Sequence, residues 1–201
     1  MKIICIGRNY AGHAKEMKSE VPAEPVFFMK PDTALLKEGD FYFPEFTKDL
    51  HHEIELVIKI SKSGKHIDEQ FAHKYYEEIG LGIDFTARDI QAKCKEKGLP
   101  WEIAKAFDNS APIGKFISKE KLGTGTINFE LKINDEIKQN GNSGDLIFSF
   151  DKVISYISKF VTLKTGDLIY TGTPEGVGPV KIGDRLEGFL NGESFLKLNI
   201  K

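Results

Sequence analysis

The chain has 201 residues, with 28 basic and 30 acidic side chains for a formal net charge of -2, and it is 40% hydrophobic, 29% charged and 11% aromatic. That composition belongs to a globular protein long enough for one sizeable core, so a single domain over residues 1–201 is expected and nothing marks disorder. Acids and bases are interspersed, which leaves no electrostatic footprint for nucleic acid or for an anionic membrane and makes a small molecule the default ligand.

Two cysteines, Cys5 in an apolar strand-like run and Cys94 in a helical one, form neither a disulfide framework nor a zinc spacing. The opening run is too short for a secretory signal, and no stretch approaches the roughly 20 apolar residues of a membrane helix. A reducing, cytoplasmic location is therefore expected. Only three arginines, Arg8, Arg88 and Arg185, accompany 25 lysines. An arginine here marks a place where a planar, multi-donor head is wanted.

The chain opens with a short strand ending at Gly7, then Arg8-Asn9-Tyr10, then a short helix from Ala11 to Met17. His13 and Glu16, three apart on that helix, share a face. A carboxylate beside an imidazole fixes its tautomer and raises its basicity, as needed to take a proton from water at neutral pH. A solvated pair on a helix surface is the plainer alternative. Val26-Phe27-Phe28-Met29 reads as a buried strand with Lys30 after it. The segment from Leu50 to Ile60 alternates strictly and reads as one strand, with His51, Glu53 and Glu55 on one face and His52, Ile54, Leu56, Ile58 and Ile60 on the other. Two neighbouring carboxylates repel unless a cation sits between them, and oxygen-only ligation suits Mg²⁺ or Mn²⁺. The alternative is a half-exposed strand whose acids face water.

Phe71, Tyr75 and Ile79 recur every four residues, which predicts a helix from Asp68 to Ile79, and a strand from Ile79 to Phe85 follows. Asp84 ends that apolar strand, before a helix that Thr86 caps, that carries Asp89 in its first turn and that Gly98 and Pro100 stop. It is a candidate third metal ligand, or an ordinary cap or turn residue. Lys105 sits among apolar neighbours in Trp101-Glu102-Ile103-Ala104-Lys105-Ala106-Phe107. It reads as a partly buried cation facing a substrate anion or, like Lys30, as a surface lysine. Ile127, Phe129, Leu131 and Ile133 alternate up to Asn134-Asp135, and Leu186 to Leu190 leads through Asn191-Gly192 into an alternating tail. Both predict hairpins. Between them, Asp151 to Phe160 predicts an amphipathic helix. Thr171-Gly172-Thr173-Pro174-Glu175-Gly176-Val177-Gly178-Pro179 follows the strand-like Leu168-Ile169-Tyr170. Its amides and hydroxyls suit a carboxylate, although it matches no phosphate-loop or dinucleotide fingerprint and also reads as a plain turn. Strands outnumber helices without a regular βαβ alternation, so the fold class is α+β with an antiparallel or mixed sheet.

Together these segments resemble the fumarylacetoacetate hydrolase family, and within it the short members of the acylpyruvase and oxaloacetate decarboxylase type. Six ordered motifs carry the resemblance: Gly7-Arg8-Asn9-Tyr10 with His13 and Glu16, Phe28-Met29-Lys30-Pro31, His52-Glu53-Ile54-Glu55, Asp84-Phe85-Thr86-Ala87-Arg88-Asp89, Lys97-Gly98-Leu99-Pro100-Trp101 and Thr171-Gly172-Thr173-Pro174. It implies a β-rich roll of mixed sheets with peripheral helices, assembled as a homodimer, with Mg²⁺ or Mn²⁺ on Glu53, Glu55 and Asp84. It further implies a catalytic dyad of His13 and Glu16 on a segment that closes over substrate, and Lys105 on the reacting oxygens. Gln91 would hold the attacking water or the substrate, with Arg8, Lys30, Arg88, Gly172 and Thr173 as substrate contacts. The implied activity is cleavage of a carbon-carbon bond in a small 2-oxo acid, by hydrolysis of an acylpyruvate or decarboxylation of oxaloacetate. Isomerases or decarboxylases of aromatic catabolism share the metal triad but move a proton instead of admitting water. A non-catalytic, metal-binding dimeric scaffold would have no use for His13, Glu16 and Lys105.

Overall fold

A computed structural model describes residues 1–17 and 20–201. In chain order its elements are β1 (Ile3–Gly7), α1 (Ala11–Glu16), β2 (Val26–Lys30), β3 (Leu35–Leu36), β4 (Leu50–His52), β5 (Ile54–Ile60), β6 (Tyr76–Ile83), β7 (Thr86–Ala87) and α2 (Arg88–Lys97). There follow α3 (Glu102–Lys105), β8 (Ala111–Ser118), α4 (Lys119–Leu122), β9 (Asn128–Ile133), β10 (Glu136–Asn142), α5 (Phe150–Phe160), β11 (Leu168–Tyr170), β12 (Gly178–Pro179), β13 (Arg185–Leu190) and β14 (Glu193–Asn199). The fold is α+β. A seven-stranded mixed sheet runs β2-β1-β11-β5-β6-β8-β3, a four-stranded antiparallel sheet runs β10-β9-β13-β14, and a small sheet runs β12-β4-β7.

Local chemistry explains much of this. Asn134 and Asp135 both take positive φ, as do Asn191 and Gly192, which is what a tight two-residue hairpin demands. The β9/β10 and β13/β14 hairpins result. Ser149 caps α5 through the Lys152 amide, and the helix buries Val153, Ile154 and Ile157. Gly98, with φ of 62°, ends α2 in the left-handed region where a glycine costs least. The main core lies where the inner faces of the large and four-stranded sheets meet, with Ile54, Leu56 and Leu81 against Phe129, Leu131, Leu186 and Leu198.

Four expectations need correction. The segment from Asp68 to Ile79 is not one helix: a 3₁₀ stretch spans Glu69–Lys74, capped by Asp68, and the chain enters β6 at Tyr76. Phe71 is 47% exposed, so the four-residue spacing marks no buried face, and pairing of β6 with both β5 and β8 overrides it. The segment from Leu50 to Ile60 is not one strand either. It breaks at Glu53, leaving β4 in the small sheet and β5 in the large one, and β5 is buried on both faces. Thr86 does not cap α2; it lies in β7, its hydroxyl donating to the Asp84 carbonyl, and Ala87 occupies the cap position. Val26–Lys30 is a strand but not the buried one expected: Val26 is exposed, Phe27, Phe28 and Met29 are half-buried, and Lys30 alone is buried.

Strand register then sets the site. Ile54 pairs with Ile83, and the Asp84 amide donates to the Glu53 carbonyl at 2.8 Å, so the ends of β5 and β6 carry their acids side by side. β11 lies between β1 and β5, which brings the Gly7 and Tyr170 ends of those strands to the same edge. Asn9 ties that edge together. Fully buried, its Nδ2 donates to the Phe148 carbonyl (3.0 Å) and the Thr171 carbonyl (2.8 Å), and its Oδ1 accepts the Phe148 amide (2.7 Å). Asn9→Ala removes all three bonds and strands buried partners, so it should cost about 2–4 kcal/mol of stability. Denaturant unfolding checks this, and an unchanged midpoint would contradict the tethering role.

Candidate active site

Glu53, between β4 and β5, Glu55 on β5 and Asp84 after β6 are all buried, and each offers an oxygen such that the three lie within 4.8 Å of one another. Burial of three like charges is unfavourable, and the surrounding groups answer it unevenly. Glu53 accepts from Arg88 Nη2 at 2.6 Å on one oxygen and from Lys105 Nζ at 2.8 Å on the other. Asp84 Oδ2 accepts from Lys105 Nζ at 2.8 Å, while Lys30 Nζ stands 2.7 Å from Oδ1 without hydrogen-bond geometry, so that oxygen is buried without a hydrogen bond. Among the described residues Glu55 has no ion pair; its Oε2 accepts the Gly172 amide at 2.6 Å.

The proton affinities follow this distribution. Burial penalises the Glu53 carboxylate, but Lys105, Arg88 and His13 outweigh it and hold the group well below the usual carboxylate range. Burial, then the charges of Asp84 and Glu53, push Glu55 well above that range. Burial likewise opposes the Lys105 charge, but Asp84 and Glu53 overcome it and keep the ammonium firmly protonated.

These acids form the floor of a cavity of about 50 Å³, also lined by Arg8, His13, Arg88, Gln91, Lys105 and Thr173. Of the twelve residues expected from sequence, nine thus reach the cavity wall. Lys30 does not. It is buried behind Asp84, where its ammonium donates to the Ser110 carbonyl (2.8 Å) and hydroxyl (3.0 Å), so it supports the floor. Gly172 acts through its amide on Glu55, and a Cβ there would stand 2.6 Å from that of Asn9, with φ of 103°. Glu16 stands behind His13, its Oε2 3.3 Å from His13 Nδ1, while its Oε1 accepts the Gly176 amide at 3.1 Å. The dyad is therefore pinned to the Gly-rich loop after β11. His13 is 7% exposed.

Several participants escaped the sequence reading. Gln139 on β10 is buried; its Oε1 accepts the Ile54 amide and pairs with His52 Nδ1, and its Nε2 donates to Thr173 Oγ1 and the Pro174 carbonyl. It locks the break at Glu53 to the Gly-rich loop, yet nothing in the polar run of β10 marks it out. Ser110 donates to the Lys105 carbonyl and accepts from Lys30. Lys95 also lines the cavity. Its spacing from Arg88 and Gln91, seven and four residues along one helix face, was the available signal.

Comparison with known proteins identifies the family. The family described as fumarylacetoacetate (FAA) hydrolase C-terminal matches residues 2–199. The mitochondrial oxaloacetate tautomerase of Mus musculus is 46% identical over 201 residues, covering 99% of this chain and 91% of that protein. A mitochondrial oxaloacetate decarboxylase of Dictyostelium discoideum is 43% identical over 194 residues, covering 95% and 89%. Among solved structures, a fumarylpyruvate hydrolase from Pseudomonas aeruginosa in complex with Mn²⁺ and pyruvate superposes with a TM-score of 0.94 at 39% identity, covering 100% of this chain and 89% of that one. The expectation of a cytoplasmic protein is overturned by the mitochondrial relatives. Free buried cysteines fit any reducing compartment and do not single out the cytoplasm. With the family match spanning nearly the whole chain and the relatives alike in length, this protein belongs to the fumarylacetoacetate hydrolase family.

Proposed function

We propose that this chain is a divalent-metal-dependent enzyme that cleaves the carbon-carbon bond beyond the keto group of a small 2-oxo acid, by acylpyruvate hydrolysis or oxaloacetate decarboxylation, and that residues 1–201 form one catalytic domain. The observation that carries the reading is the buried trio of Glu53, Glu55 and Asp84 facing His13 across one cavity. The trio fits a hard cation: all donors are carboxylate oxygens, Asp84 Oδ1 is buried without a hydrogen bond, and Glu55 has no ion pair among the described residues. Mg²⁺ or Mn²⁺ is the proposed ion, and the Pseudomonas relative holds Mn²⁺ with pyruvate. Bound there, such an ion supplies a Lewis acid for the carboxylate and keto oxygens of a 2-oxo acid.

The chain's own residues divide the remaining work. Lys105, protonated and touching two members of the trio, donates towards the keto oxygen, where negative charge gathers as the bond breaks. Glu16 orients the His13 imidazole, which takes a proton from water as the water oxygen bonds to the distal carbonyl carbon of an acylpyruvate. The bond from that carbon to the next breaks, its electron pair moves towards the keto oxygen, and the proton on His13 returns to the carbon so released. Pyruvate and a carboxylic acid result. Gln91, bound to Arg88 Nη1 at 2.8 Å, and Thr173 hold the water or the substrate in place. Oxaloacetate gives the same electron flow by loss of CO₂, without water attack. A second reading, tautomerisation, needs His13 to take a proton from the carbon beside the keto group while the keto oxygen, to which Lys105 donates, gains one, with no carbon-carbon bond broken. The names of the relatives from Mus musculus and Bos taurus favour it. A homodimer belongs to the same proposal; the exposed apolar side chains of Val26, Leu99 and Ile103 support it, and sedimentation tests it.

Pyruvate release from acetylpyruvate and oxaloacetate, measured with Mg²⁺ or Mn²⁺ and with EDTA, should be metal-dependent for at least one substrate. Glu53→Gln should abolish it. His13→Ala should lower acylpyruvate hydrolysis by about 10²–10⁴-fold while metal binding persists, and loss of metal binding in that variant would recast His13 as a ligand.

Glu55 generates a pH signature. Its raised proton affinity means that the metal-free folded state keeps a proton that the unfolded chain loses near pH ~4.3. Its contribution to stability therefore falls as pH rises from the unfolded value towards the raised folded one. A divalent ion needs the ionised carboxylate, so the rise in Tm on adding Mn²⁺ should grow as pH climbs from the unfolded carboxylate value towards the raised folded one. Calorimetry on the wild type and Glu55→Gln checks this. A metal-induced rise that is flat with pH, or unchanged in the variant, removes Glu55 from the ligand set.

A further inference from the structure

The cavity has a second charged end that the reaction above does not use. Arg88, Gln91 and Lys95 occupy one face of α2 and all line it, whereas Lys93 and Lys97 of the same helix do not. Arg88 is committed to the floor through Glu53. Lys95 stands about 10 Å farther along the axis, at ~1.5 Å per residue, and helical side chains lean back towards the N-terminus, here towards the floor. Its ammonium is held 5.4 Å from the centroid of Trp101, whose ring packs edge-on against Phe28.

Arg8 lines the same cavity, with φ of 62°, a left-handed conformation that a non-glycine residue rarely adopts, next to the triply bonded Asn9. Among the described residues, neither Arg8 nor Lys95 has an ion pair or a side-chain hydrogen bond, although Arg88 and Lys105 both do. The repulsion is felt: burial, then the charges of Arg88 and Arg8, lower the proton affinity of Lys95. Adding a divalent ion at the floor increases the positive excess. A 2-oxo acid with a neutral tail brings one carboxylate, which goes to the floor, and leaves this pair of cations uncompensated.

Resting on the function proposed above, we infer that Lys95, steadied by Trp101 and joined by Arg8, receives the second carboxylate of a dianionic 2-oxo acid, so that the cavity selects dicarboxylic substrates over those with neutral tails. Lys95 is a specificity residue here and takes no part in bond breaking.

The test compares oxaloacetate, acetylpyruvate and the competitive chelator oxalate, which has a head but no tail, in the metal-loaded wild type, Lys95→Met and Lys95→Arg. For Lys95→Met, KM for oxaloacetate should rise tenfold or more, with KM for acetylpyruvate and Ki for oxalate within about twofold. Lys95→Arg should restore most of the affinity for oxaloacetate. Equal weakening of all three ligands, no change for oxaloacetate, or a wild type that hydrolyses acetylpyruvate but does not act on oxaloacetate overturns the subsite and leaves the proposed function standing. A wild type that acts on neither substrate overturns both.

Discussion

Three carboxylates buried within 4.8 Å of one another are the constraint on which the rest of the molecule depends. An isolated buried carboxylate costs many kcal/mol or takes up a proton, so each needs a partner. Among the described residues, Glu53 has two cations, Asp84 shares Lys105 and leans on Lys30, and Glu55 has a backbone amide but no ion pair. This asymmetry is informative. A cluster serving only stability would spread its cations evenly or replace acids by apolar groups, because buried ion pairs contribute little net stability. Leaving Glu55 short of positive charge makes the apo cluster frustrated on one side, where a further cation relieves it.

Much of the architecture serves to hold that cluster. The chain changes sheets at Glu53, and the change frees its side chain for Arg88 and Lys105 while its carbonyl accepts the Asp84 amide. Gln139 secures the break by taking the Ile54 amide and His52 on one oxygen. Asn9 joins the turn before α1 to the end of β11, and Glu16 meets the Gly176 amide farther along the same loop. His13 is thereby fixed relative to the acids through directional bonds, those of Asn9 buried, and not through apolar packing alone, as the proton transfer proposed for it requires.

Where a local signal decides the structure, the sequence was legible. Asn191-Gly192 and Asn134-Asp135 fix their hairpins through backbone conformations that few other residue pairs adopt, and the apolar face of α5 needs only its own period. The acids of the floor were legible because unpaired carboxylates in apolar strands are costly and conspicuous. Long-range pairing decided the rest. The segment from Asp68 to Ile79 has a helical spacing at Phe71, Tyr75 and Ile79, but from Tyr76 on it is claimed by strands on both sides. Gln139 sits in a polar run whose neighbours are exposed, and only the fold reveals that its amide is buried among the Glu53 break and the Gly-rich loop. Lys30 was identified as important, but its placement behind the floor, instead of within the cavity, depends on Ser110 eighty residues away.

The two ends of the cavity belong to one rigid element. Arg88 at the start of α2 grips a floor carboxylate, and Lys95 two turns later reaches the mouth, so the helix itself is the ruler between head and tail. Charge orients the ligand along it: the acidic floor rejects a bare carboxylate unless a cation intervenes, while the basic mouth attracts one directly. A dicarboxylic 2-oxo acid has two carboxylates but only one with a keto oxygen beside it, so only one end offers both donors to a cation on the floor. The mouth then takes the other end. The proposed orientation and tail selection thus follow from a single helix face, whose Arg88 and Lys95 line the same cavity as Lys105 and His13.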